Sequence, residues 1–208
     1  MANGNEKHFQ QLEHAVNRAK EMLSSHQYPD GLRTVIVAGF IDLTIEHHEA
    51  MLLLIRHAKI GSAFALARSI FESMYRGMWI NFCASEKEIE RFEKKDEIDP
   101  TLAQMAGAID TAYRADGFFK DLKKRAWPML NSYTHSGMLQ LGRRFTGHKL
   151  QPAYSEQEAF EITTATTTCV LTLIRAFFGA QNHPNDLRET EKLIESYGPA
   201  AEANRAVT

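Results

Sequence analysis

HHEAMLLLIRHAKIGSAFALARSIFESMYRGMW, residues 47–79, decides the fold class. On both sides of Gly61-Ser62 its apolar residues recur at intervals of three and four, the spacing of α-helices that bury one face. Upstream, Ile36, Phe40, Leu43, Ala50, Met51 and Leu54 share one broad face of a helical wheel, with Asp42, Glu46, Glu49 and Arg56 opposite. That pattern predicts a helix over 33–59. Downstream, Ala63, Ala67, Ile70, Phe71, Met74 and Met78 predict a second over 62–84, and so short a break between them predicts an antiparallel hairpin.

The remaining chain reads the same way. Phe9, Leu12, Val16, Ala19 and Leu23 predict an amphipathic helix over 6–25, closed by the turn YPDG at 28–31. Ser85 and Glu88 stand at capping-box spacing and open a short, charged helix. Asp99-Pro100 reads as the next helix start, carried by Leu102, Met105, Ala106 and Ile109. Residues 118–124 make a short element, Trp127-Pro128 begins a helix over 127–141, and GRRFTGHKLQPAY at 142–154 is a loop. Ser155 and Glu158 repeat the capping box and open a helix to Gly179. Its β-branched run TTATTTCVLTL has no partner strand elsewhere, so a helix is preferred to a strand. A short helix over 185–197 and an Ala-rich tail follow. The expectation is one all-α helical-bundle domain over 1–198 with a flexible tail at 199–208.

Composition narrows the function classes. The chain has 208 residues, 44% of them apolar and 24% charged, with a net charge of -2, values of a globular domain rather than a disordered or wholly basic one. Cys83 and Cys169 show no CxxC spacing, so a disulfide framework or zinc knuckle is not expected. MANGNEKHFQQ at the N-terminus lacks the apolar core of a signal peptide, and no uncharged apolar run reaches membrane-spanning length. These features point to a reducing cytoplasm and to no membrane.

Among polar groups, Arg68, Glu72 and Arg76 share one helix stripe, where a carboxylate between two guanidiniums forms either an ion-pair ladder or, if covered, an anion-holding cleft. Trp79 and Cys83 continue that stripe. His47 and His48 fall within the apolar face of their helix and read as core histidines. HxxxH and ExxH are absent, so no helical metal site, and no cofactor, is expected. His135 follows Asn131 by four residues and could serve as an acid or base if it faced the arginine row. Lys120, Lys123, Lys124, Arg125, Arg143, Arg144 and Lys149 form a basic stretch suited to phosphate groups, although no Walker A or GxGxxG loop accompanies them.

Leu66, Arg68, Glu72, Arg76 and Trp79, followed by Trp127, Leu130 and His135, form an LxRxxxE…W / WxxLxxxxH pattern over roughly 35–145. It resembles bacterial helical families of unknown function that are distantly similar to HEPN domains. The resemblance implies a bundle linked to bacterial defence, including phage defence, or to stress. It also implies a homodimer, across which HEPN ribonucleases usually act. HEPN ribonucleases work without metal through an Arg and a His four to six residues apart; Arg143 and His148 have that spacing, with His135 a further candidate. Three readings result: a binding or interaction module with Arg68, Glu72, Arg76, Trp79 and His135 around its ligand; a metal-independent endoribonuclease or nucleotide-transfer toxin; or a purely structural partner of a neighbouring protein, docked through the exposed side of the 86–97 helix.

Overall fold

The computed structural model describes residues 3–197, with side chains over 6–196; the expected tail at 199–208 lies outside the described residues. The fold is an all-α bundle. Its elements are α1 (Asn3–Ser25), α2 (Leu32–Arg56), α3 (Ile60–Phe82), α4 (Glu86–Lys95), α5 (Leu102–Tyr113), α6 (Phe118–Thr134), α7 (Met138–Gly142), α8 (Glu156–Ala180) and α9 (Pro184–Tyr197). A two-residue hairpin, β1 (Phe145–Thr146) against β2 (Lys149–Leu150), lies in the stretch expected to be loop.

The α2–α3 hairpin is the most extensive helix pairing, and α3 is the hub on which α8, α5 and α6 also pack. Close approach along α3 depends on Gly77, where an added Cβ would lie 2.7 Å from Leu173 Cδ1 and 3.2 Å from Phe40 Cβ. The chain reverses at Ala58, in the left-handed region at φ 57, three residues before the expected Gly61 break. Gly61 instead lies buried in the first turn of α3.

The buried face of α2 is Val37, Ile41, Thr44, Ile45, His48, Met51, Leu52 and Ile55, rotated from the expected face so that Leu43 is exposed. The helix is apolar nearly all round, and packing against both α3 and α8, rather than its own weak amphipathicity, chooses the buried side. The α5 cap also moves: Thr101 and Gln104 form the capping box, while Asp99 pairs with Arg91. The expected break at Trp127-Pro128 does not occur. Pro128 sits exposed within one continuous α6, anchored on either side by buried Phe119, Leu130 and Tyr133. The break comes at Ser136-Gly137, with Ser136 in the left-handed region.

The threonine run is helical, as expected, because its hydroxyls bond back to carbonyls one turn earlier: Thr163 to Ala159, Thr166 to Ile162, Thr167 to Thr163. Hydroxyls of the same run fasten two other helices. Thr164 pairs with His8 of α1 at 3.0 Å and Thr167 with His48 of α2 at 2.8 Å. By length and composition α8 could cross a membrane, yet most of its apolar stretch is buried in the bundle.

Candidate functional site

α6 and α8 lie on either side of α3 and scarcely pack against each other. Between them runs a groove of about 550 Å³. Its floor is Ala67, Phe71 and Met74 of α3. One wall is the stripe Phe118, Leu122, Ala126 and Met129 of α6; the other is Phe160, Ala165, Thr168, Cys169 and Thr172 of α8. The gap follows from side-chain size: Ala126 on one wall, and Ala165, Thr168 and Thr172 on the other, stand where a filled bundle would place leucines. Phe118 and Met129 at the rim remain 54% and 37% exposed. Thr168 donates its hydroxyl to Thr164 O at 2.9 Å, so its proton is committed along the helix rather than into the groove. Gln157 and Glu161 are linked to each other and supply the polar end. Burial pushes the Cys169 thiol up to about 12, so it contributes as an apolar group and not as a nucleophile.

The predicted polar residues form the brace that holds the α6 wall. Arg68 donates through Nε and Nη2 to Glu72 Oε1 at 3.3 and 3.2 Å, and through Nη1 to His135 Nε2. Its guanidinium carbon lies 4.8 Å from the centre of the Trp127 ring, and Lys123 Nζ lies 5.6 Å from it. Thr134 adds a hydrogen bond to Ala65 O at 3.2 Å. The opposite end of α6 is pinned by the Tyr75 hydroxyl, which donates to Phe119 O at 2.7 Å. Asp110 of α5 accepts from Phe119 N and Lys120 N at 2.8 and 3.0 Å. α6 has only Gly117 at its N-cap, so the buried Asp110 carboxylate serves as its cap from a neighbouring helix.

Not all the predicted site residues meet. Arg68, Glu72 and His135 do. Arg76 is half-buried and makes no ion pair or side-chain hydrogen bond with the described residues, so the ladder stops at Glu72. Trp79 is buried in the core, and Trp127 supplies the tryptophan of the cluster. Arg143 is engaged by Glu158 and Ala153 O, while His148 lies exposed in the β-hairpin turn; no hydrogen bond among the described residues joins either to His135. His48 is a core histidine, as expected. Thr167 already donates to Thr163 O, so the ring must donate through Nε2–H to the Thr167 hydroxyl, leaving Nδ1 buried with no partner among the described residues.

On the other side of α6, Lys120, Lys123, Lys124 and Trp127 surround a smaller cavity of about 290 Å³ against Ala103 and Ala106 of α5.

This hub of α3, with α6 and α8 on it, falls within the 41–198 segment that matches a family model described as a family of unknown function, DUF6988. The chain belongs to the DUF6988 family. No curated protein and no solved structure matches it. The DUF6988 match includes every residue of the groove and of its brace.

Proposed function

We propose that this DUF6988 chain is a binding module whose seat is the α6–α8 groove and whose ligand is an apolar molecule or an apolar anchor of drug-like size. The observation that carries the reading is the groove itself, about 550 Å³ and lined by aromatic, methionine, alanine and threonine side chains. That is the volume and character of pockets that take small apolar ligands. The Arg68, Glu72, Trp127 and His135 cluster then acts as a positioning brace, because each nitrogen of the guanidinium already donates to Glu72 or His135 and the group lies against the Trp127 ring. The setting attached to this module, a bacterial cytoplasm and a defence or stress role, is carried by the sequence reading and the resemblance alone.

Native mass spectrometry of the chain purified without added ligand tests the reading. An added mass lost in Ala165→Trp, which fills the groove from an exposed wall position, is the expected result. A bare wild-type chain that also fails to take up an apolar probe would refute it.

A second observation favours association with a protein partner, a second copy being the first to test. Met138, Leu139, Leu141, Phe145 and Leu150 are all about half exposed or more within one short segment, and such apolar patches mark interaction surfaces. A mass that doubles with concentration and returns to that of one chain in Leu139→Asp/Phe145→Asp would support it. Metal-independent RNA cleavage has less to stand on, since the Arg143 guanidinium is held by Glu158 at the start of α8. Cleavage in chelator that disappears in His148→Ala would revive it.

A further inference from the structure

The end of α1 meets the turn between α8 and α9 at a corner formed by His26, His183 and Asp186. One ligand atom from each of the three lies within 4.8 Å of the others. The two imidazoles are 4.4 Å apart between centroids and inclined at 72°. His26 is fixed in place by edge contacts to Tyr28, Phe177 and Phe178 at 5.0–5.4 Å. Its Nε2 is shut off from solvent and has no hydrogen-bond partner among the described residues, so it is left wanting a water or an ion. His183 and Asp186 stand three residues apart at the start of α9, on one helix face. Their closest pair, Nδ1 and Oδ2, is 3.6 Å apart, too long for a hydrogen bond, so neither group is consumed by the other.

We infer that this corner is a transition-metal site of zinc class, with His26, His183 and Asp186 as its three protein ligands and a fourth position open to water. Two imidazoles and a carboxylate are a donor set that zinc and its neighbours accept. Tetrahedral zinc needs its ligand atoms about 3.3 Å apart, given bonds of roughly 2.0–2.1 Å. His183 is exposed and Asp186 half-buried, so both can swing in toward the fixed His26. The bound metal would staple the end of α1 to the α8–α9 corner. The inference is independent of the groove, and it revises the sequence expectation of no metal.

The test is zinc uptake by full-length protein stripped with chelator and desalted, titrated with zinc chloride in competition with a chromophoric chelator. One zinc per chain is expected in the wild type. His26→Gln, His183→Gln and Asp186→Asn should each weaken binding at least tenfold. Zinc should raise the Tm of the wild type and leave that of the variants unchanged. His183→Gln and Asp186→Asn change surface-side groups, so loss of binding in them, with a metal-free Tm equal to wild type, cannot be ascribed to misfolding. Absence of stoichiometric uptake by the wild type, or equal uptake by the variants, overturns the site.

Discussion

Arg68 and His135 stand 67 residues apart in the chain, and the guanidinium of the first donates a hydrogen bond to Nε2 of the second. That contact joins the middle of α3 to the C-cap of α6, and with Glu72 and the Trp127 ring it leaves Arg68 surrounded. In this account the polar residues set among the leucines hold a wall in place; they do not themselves face a ligand.

Removing the brace should therefore loosen α6 more than the rest of the bundle. Arg68→Ala is expected to cost about 1–3 kcal/mol, the range for a hydrogen-bonded charge that is largely buried. Amide hydrogen exchange should accelerate chiefly over 127–135. A double-mutant cycle with His135→Ala should give a coupling above about 0.5 kcal/mol. Additive effects would mean that the contact contributes nothing.

Asp110 should behave as the missing N-cap of α6. Asp110→Ala strands the Phe119 and Lys120 amides beside a half-covered helix end and is expected to cost about 1–3 kcal/mol. Asp110→Asn keeps one acceptor oxygen and should recover a good part of the loss. Denaturant melts of the three proteins check this, and equal stability of Asp110→Ala and wild type would contradict it.

Stability should fall on mild acidification. Burial depresses the His48 pKa to about 4, whereas the unfolded chain takes up that proton near its ordinary 6.5. Between those values the unfolded state binds more protons, so the contribution is complete above about pH 7 and is lost as the pH falls toward 4. The loss is roughly 3 kcal/mol in all, with about 2 kcal/mol of it between pH 7 and 5. His26 is shifted in the same direction, by burial first. Glu13, lowered mainly by its hydrogen bond to Arg56, loses its contribution only at lower pH, around and below the carboxylate range. His48→Gln should flatten the pH 7 to 5 slope in urea melts; an unchanged slope would contradict the assignment.

The hairpin, the two Ser/Glu capping boxes and the threonine-rich core helix were legible because each is set by residues within a turn or two of one another. The buried face of α2 was not, since a helix apolar on nearly every side leaves the choice to α3 and α8. Pro128 misled for a related reason: the cost of a proline within α6 is outweighed by Phe119, Leu130 and Tyr133 packing on either side of it. The brace was half legible. Arg68 and Glu72 announce themselves by spacing, but only the fold shows that His135 completes the set and that Arg76 and Trp79 do not. The groove had no local signal at all. Ala126 and Ala165 are ordinary helix residues until α6 and α8 are laid side by side on α3, and a void is a property of the pair. His26 and His183 are likewise joined only by the turn of the bundle.

The most direct test of the groove is a fluorescence titration with N-phenyl-1-naphthylamine, a neutral apolar probe, on the wild type and on Ala165→Trp. Saturable uptake at one site per wild-type chain, weakened at least tenfold in a variant whose Tm and circular dichroism are unchanged, is the predicted result. No saturable uptake by the wild type, or equal uptake by the filled variant, would contradict the groove as a binding seat.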